Sequence, residues 1–125
     1  MYVIKGNPIP LARARVSKGV FYDPQSDLKE AFAWEYKLHP GAKCYSGALK
    51  LTVTFYMAIP KMSAIKKEKT IGTHHAKRPD LSNMIKFLED AIMGLAYMDD
   101  AFISVIEAYK VYDLCPRTEF TIEEL

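Results

Sequence analysis

Cysteine is scarce in this chain: Cys44 and Cys115 are the only two, far apart and in no CxxC pair. A disulfide framework or a cysteine-built zinc site is therefore excluded as an organising principle, and the two thiols read as buried small apolar residues in a reducing compartment. No run of apolar residues reaches the length of a signal peptide or a membrane span, so the expectation is a soluble, cytoplasmic protein that does not engage a membrane. Internal repeats and low-complexity tracts are also missing. The chain has 125 residues, half of them hydrophobic, which suits one compact domain over residues 1–125 with a core that needs no covalent staples.

The net charge of +2 conceals an asymmetry. Residues 1–79 hold fourteen Lys/Arg against five Asp/Glu, or +9, whereas residues 80–125 hold three against ten, or −7. A basic segment followed by an acidic one suits a protein that attracts a polyanion with one surface and works with carboxylates on another.

Periodicity places the elements. Residues 1–6 read as a short strand ended by Asn7, Pro8 and Pro10, and residues 13–22 (RARVSKGVFY) as a hairpin turning at Ser17-Lys18-Gly19. Asp23-Pro24 then predicts an N-cap and first helical position for an amphipathic helix over 24–39, with Leu28, Ala31, Phe32, Trp34/Glu35 and Leu38 at helical spacing. Residues 48–59 alternate Leu49, Leu51, Val53, Phe55 and Met57 on one face, a strand that Pro60 closes. The segment 61–79 shows no sustained period and carries six Lys/Arg against one Glu, and it reads as an exposed, mobile basic loop. Leu81, Met84, Ile85, Leu88, Ile92 and Leu95 form the apolar stripe of a helix over 80–96, with Asp80 placed to cap its first turn. Strands follow at 102–112 and 117–122. Trp34, Tyr36 and Tyr45 are expected in the core or a dimer interface, and the aromatics of 102–112 in the core. The order predicts an α/β (α+β) domain, a mixed sheet with two helices packed on it.

At about 100° per residue from Asp80, Asn83, Lys86 and Asp90 fall near 300°, 240° and 280°, opposite an apolar stripe centred near 90°. By spacing alone this is equally an ordinary solvated face with local pairs such as Lys86–Asp90. The chemical alternative is a centre where hard carboxylate oxygens hold Mg²⁺ or Mn²⁺ and a lysine counters charge on a phosphate. Asp99-Asp100, just beyond the helix, supplies further acids. Arg13, Arg15, Lys18, Lys61, Lys66, Lys67, Lys69, Lys77 and Arg78 are candidates for phosphate contacts that carry no base readout. His74 and His75 lie in the same basic segment without a further zinc ligand.

The ordered string Lys77-Arg78-Pro79-Asp80-Leu81-Ser82-Asn83-Met84-Ile85-Lys86, Glu89-Asp90-Ala91, Gly94-Leu95 and Asp99-Asp100 resembles the RusA family of Holliday-junction resolvases. The family's pattern runs from a basic residue through Asp-x-Asp-Asn and a lysine three residues on to an Asp-Ala pair, a glycine and Asp-Asp opening a strand. The likeness extends to Gly6-Asn7-Pro8 and to Arg13-Ala14-Arg15 before Tyr22. The resemblance implies a magnesium-dependent homodimeric endonuclease (with Mn²⁺ as a possible substitute) that places paired symmetric nicks in four-way DNA junctions during recombination and repair. It assigns catalysis to Asp80, Lys86 and Asp100, the metal to Asp80 and Asp100 with Asp99 as a further ligand, and supporting roles to Ser82, Asn83 and Asp90. One position departs from the pattern: the second aspartate is Ser82, which can hold a metal-bound water but brings no charge. Two rivals stand beside the enzyme, a catalytically weak or inactive module that binds branched DNA and an interaction domain whose acidic half meets a protein partner.

Overall fold

The computed structural model describes residues 1–12 and 15–125, with Arg15 and Ser17 described by their backbone. Ten residues of unbroken alternation make β4 (Leu49–Ala58) the centre of the fold, and Leu49, Leu51, Val53, Phe55 and Met57 are all buried. Around it the four-stranded sheet runs β1 (Tyr2–Lys5), β6 (Arg117–Glu124), β4, β5 (Ile103–Asp113). β6 pairs antiparallel with both β1 and β4, whereas β5 pairs parallel with β4. A parallel neighbour requires a long crossover, and residues 59–102 supply it with α2 (Ala64–Thr70) and α3 (Leu81–Ile92).

α3 and α1 (Ser26–Lys37) pack on each other and cover one face of the sheet. Met84, Phe87, Leu88, Ala91 and Ile92 of α3 are buried, and Phe32 of α1 meets Phe87 edge-on at 5.8 Å between ring centroids. Of the stripe anticipated in the sequence, Met84, Leu88 and Ile92 are buried and Leu81 and Ile85 half-buried, with Phe87 and Ala91 joining the buried face, but the helix stops at Ile92, and Gly94 at φ +91° turns the chain. Ala96 and Tyr97 beyond the turn are fully buried, while Leu95 is exposed.

Several expectations are corrected. The two helices expected on the sheet are α1 and α3, but the basic segment 61–79, expected as a loop, contains a further helix, α2: the Ser63 hydroxyl caps it by accepting from the Lys66 amide, ahead of the helix-favouring run AIKKEK. The rest of that segment is not free either. It lies along β5, with Gly72 N donating to Tyr112 O, Tyr112 N to Thr73 O and His75 N to Lys110 O. α1 begins two residues late, since Asp23 accepts from Gln25 N and pairs with Lys29 instead of capping. Its buried residues are Phe32 and Tyr36, while Leu28, Trp34 and Leu38 are exposed; on a helix Trp34 and Leu38 point away from the Phe32/Tyr36 side. β5 is an edge strand, so Phe102 before it and Tyr109 within it are exposed and not core. Both cysteines are free and exposed, in the connection before β4 and in the turn between β5 and β6. Among the described residues no helix is long and apolar enough to cross a membrane.

Candidate active site

Asp80 is the N-cap residue of α3, with φ −69° and ψ 138°. Its backbone carbonyl accepts from Asn83 N at 3.1 Å and Met84 N at 3.3 Å, but its carboxylate does not cap the helix, contrary to the expectation from sequence. The carboxylate is exposed and has no hydrogen-bond or ion-pair partner among the described residues. It opens onto a cleft lined by Pro10, Leu11, Arg78, Pro79 and Asn83.

Two long-range contacts hold that cleft. From β5, Lys110 Nζ donates to Lys77 O at 2.6 Å and to Pro79 O at 2.7 Å, fixing the approach to Asp80 and adding a cation beside it. On the other wall, Leu11 N donates to Asn83 O at 2.9 Å. The buried side-chain amide of Gln25 bridges the same segment, accepting from Ala12 N at 2.8 Å and donating to Pro10 O at 2.9 Å. Gln25→Leu leaves both backbone groups unsatisfied, and we expect it to lower unfolding free energy by about 1–3 kcal/mol in urea titration.

The polar face of α3 continues with exposed Ser82 and Lys86, half-buried Asn83, and then half-buried Glu89 and Asp90. Asp90 is engaged structurally: Lys29 Nζ lies 3.7 Å from it and 2.6 Å from Asp23, tying α3 to α1. Hydrogen bonding to Lys29 holds the Asp23 carboxyl below its ordinary range. Burial raises the Glu89 carboxyl, the charges of Asp100 and Asp90 add to the rise, and Lys86 opposes it. The buried Tyr97 hydroxyl donates to Glu89 O at 2.8 Å, and burial followed by the Glu89 and Asp100 charges drives its ionisation upward. Asp100 thus belongs electrostatically with the Glu89 turn. It opens a single 3-10 turn, Asp100–Phe102, that Asp99 caps by accepting from Ala101 N at 2.9 Å. Asp100's own carboxylate has no hydrogen-bond or ion-pair partner among the described residues, and none of these residues form a preassembled cluster of three His, Cys, Asp or Glu side chains suited to a metal.

Glu89 and Lys110 were missed by sequence reasoning. Glu89 carried a weak signal, three residues after Lys86 at the border between the polar and apolar sides of the helix; Lys110 carried none, because its contacts lie 33 and 31 residues away. Of the candidate phosphate contacts, Lys18, Lys61, Lys66, Lys69, Lys77 and Arg78 are exposed and Lys67 is half-buried. Arg13 lies outside the described residues, as does the side chain of Arg15. His74 bridges to Val111, and His75 packs on Tyr112 with its protonation disfavoured by burial and by Lys110.

Comparison with known proteins fits this arrangement. The family model described as Endodeoxyribonuclease RusA matches residues 5–123. A protein of Lactococcus phage r1t, named Crossover junction endodeoxyribonuclease rusA, is 33% identical over 108 residues, covering 84% of this chain and 78% of that protein. A second relative, Uncharacterized protein YqaN of Bacillus subtilis (strain 168), is 28% identical over 135 residues, covering 99% and 95%. With a family match spanning nearly the whole chain, including the Asp80 cleft and the polar face of α3, this chain belongs to the RusA family of endodeoxyribonucleases.

Proposed function

We propose that the chain resolves four-way DNA junctions, hydrolysing one phosphodiester in each of two strands as a homodimer that depends on Mg²⁺. The observation that carries this reading is the Asp80 carboxylate, exposed and unengaged at the opening of α3 and flanked by Arg78, in a chain of this family. Mg²⁺ is commonly held by one or two carboxylates, with water and substrate phosphate oxygens completing its shell. The donor chemistry fits: Asp80 and Asp100 keep their carboxylates free, Asp99 gives one oxygen to Ala101 N, and Asp90 pairs with Lys29. Bound there, the ion would acidify a water and polarise the scissile phosphate. Lys86, exposed two turns into α3, counters charge that develops on the phosphate, and Arg78 holds the neighbouring backbone.

A dimer is supported by the outer edge of β5. Among the described residues it is paired only at Lys110–Tyr112, leaving a stretch with exposed Val105, Ile106 and Tyr109, and such an edge is a template for a second strand. Two-fold symmetry of the junction calls for two matched centres.

The test is a four-way junction labelled on each strand in turn, incubated with Mg²⁺ or Mn²⁺ and with EDTA. Symmetric paired nicks that need the metal are expected. Junction binding without any metal-dependent nicking would leave the second reading, a junction-binding module, which Ser82 favours by removing one acid from the family pattern. Ser82→Asp restores that charge, and we expect it to lower the Mg²⁺ concentration for half-maximal nicking by roughly tenfold, since ligand charge tunes affinity.

A further inference from the structure

The strands β2 (Arg15–Ser17) and β3 (Val20–Tyr22) form a two-stranded sheet of their own, unpaired with the main sheet. Ser17 pairs with Val20 across a two-residue turn in which Lys18 and Gly19 both take positive φ, 51° and 76°, the geometry that suits a tight hairpin. Three residues a side is marginal for an independent hairpin, yet its apolar residues are turned outward. Val16 is 56% exposed, Val20 65%, Phe21 78% and Tyr22 45%. Val16 and Phe21 are cross-strand partners on one face, while Val20 and Tyr22 alternate onto the other. Neither face is covered by the core among the described residues, so the hairpin presents its largest hydrophobe, Phe21, to whatever occupies the space outside.

Charge selects the occupant. Residues 11–22 contain Arg13, Arg15 and Lys18 and no acid, a composition complementary to a polyanion. Cations close in sequence to an exposed aromatic residue match nucleic acid whose bases offer a free face, because stacking tolerates any base while cations follow the backbone. A continuous duplex hides those faces, and a branch point whose arms are unstacked exposes them. Location adds the second constraint. The hairpin rises from the wall of the Asp80 cleft, where Gln25 bridges Pro10 and Ala12 and Leu11 bonds to Asn83. Phe21 is four residues from Gln25, within at most about 14 Å of chain.

Building on the junction reading above, we infer that the β2–β3 hairpin enters the branch point and that Phe21 stacks on a base exposed there, setting which phosphate reaches Asp80. The experiment uses the full chain with a four-way junction carrying 2-aminopurine at the branch, and with a linear duplex of matching sequence. Wild type is expected to change the 2-aminopurine emission on binding. Phe21→Ala, and Phe21→Leu which keeps an apolar side chain without a π face, are expected to remove that change and weaken junction binding about five- to a hundredfold. Duplex affinity stays unchanged, and Phe21→Trp retains the emission response. Junction binding and emission unaltered in Phe21→Ala would overturn the inference. So would a Phe21→Ala effect that appears in sedimentation as loss of a dimer with the emission response intact, which assigns the hairpin to a second copy. A wild-type chain that does not bind the junction at all overturns the junction reading and this inference with it.

Discussion

Asp80→Asn is expected to depress metal-dependent nicking of a four-way junction by at least about a hundredfold while leaving junction binding intact. The substitution keeps shape and removes one negative charge from a carboxylate that no described side chain or amide engages. Because that carboxylate does not cap α3, its loss costs the fold little, and urea unfolding should move by no more than about 0.5 kcal/mol. Asp90→Asn provides the contrast. It weakens the Lys29 tie between α1 and α3, a half-exposed pair whose contribution is about 0–1 kcal/mol, and it should leave single-turnover nicking near wild type. Measuring cleavage, gel-shift affinity and unfolding on both variants separates chemistry from architecture. An Asp80→Asn chain that cuts at a near-normal rate would move the chemistry away from the opening of α3.

That contrast shows what sequence can and cannot carry. The alternation through Leu49–Met57 and the stripe on α3 survive as the buried faces of β4 and α3, because each is a local period long enough to outweigh context. The hairpin turn was legible through Gly19, a residue that permits the positive φ found there, whereas the positive φ of Lys18 was not. Period-2 alternation, however, says nothing about whether a strand is central or at an edge, so Tyr109 read as core and is exposed. α2 is two turns long and buries none of its residues, too short for a periodic signal. At the site, Asp80 and Lys86 were visible through helix geometry and Asp100 through the ordered motif. The pinning of Lys77 and Pro79 by Lys110 is a tertiary contact with no local trace. Asp90 looked like a supporting acid of the site, and only packing reveals its link to Lys29 on a separate helix.

The second large effect is expected in salt. Seven of the nine candidate phosphate contacts set the expected slope: Arg13, Arg15, Lys66, Lys67, Lys69, Lys77 and Arg78. If each meets one phosphate, junction affinity should fall by about three to four decades between 50 and 200 mM salt, from a slope near 0.9 per contact on logarithmic axes. The combined Lys66→Ala, Lys69→Ala and Lys77→Ala variant removes three exposed ammonium groups while leaving Lys67, the Ser63 cap of α2 and the Lys110 anchor in place. Its affinity should fall by only about two decades over the same range. Fluorescence anisotropy of a labelled junction at several salt concentrations reads the two slopes. Parallel lines would mean that the segment 61–79 does not meet phosphates, whatever its charge. The slope is more informative than the affinity at one salt, because a lost aromatic or hydrogen-bonding contact shifts the line without tilting it. A tilt from the lysines of 61–79 and a parallel shift from Phe21→Ala would therefore assign the two parts of the surface separately, with backbone attraction along 61–79 and base stacking at the hairpin.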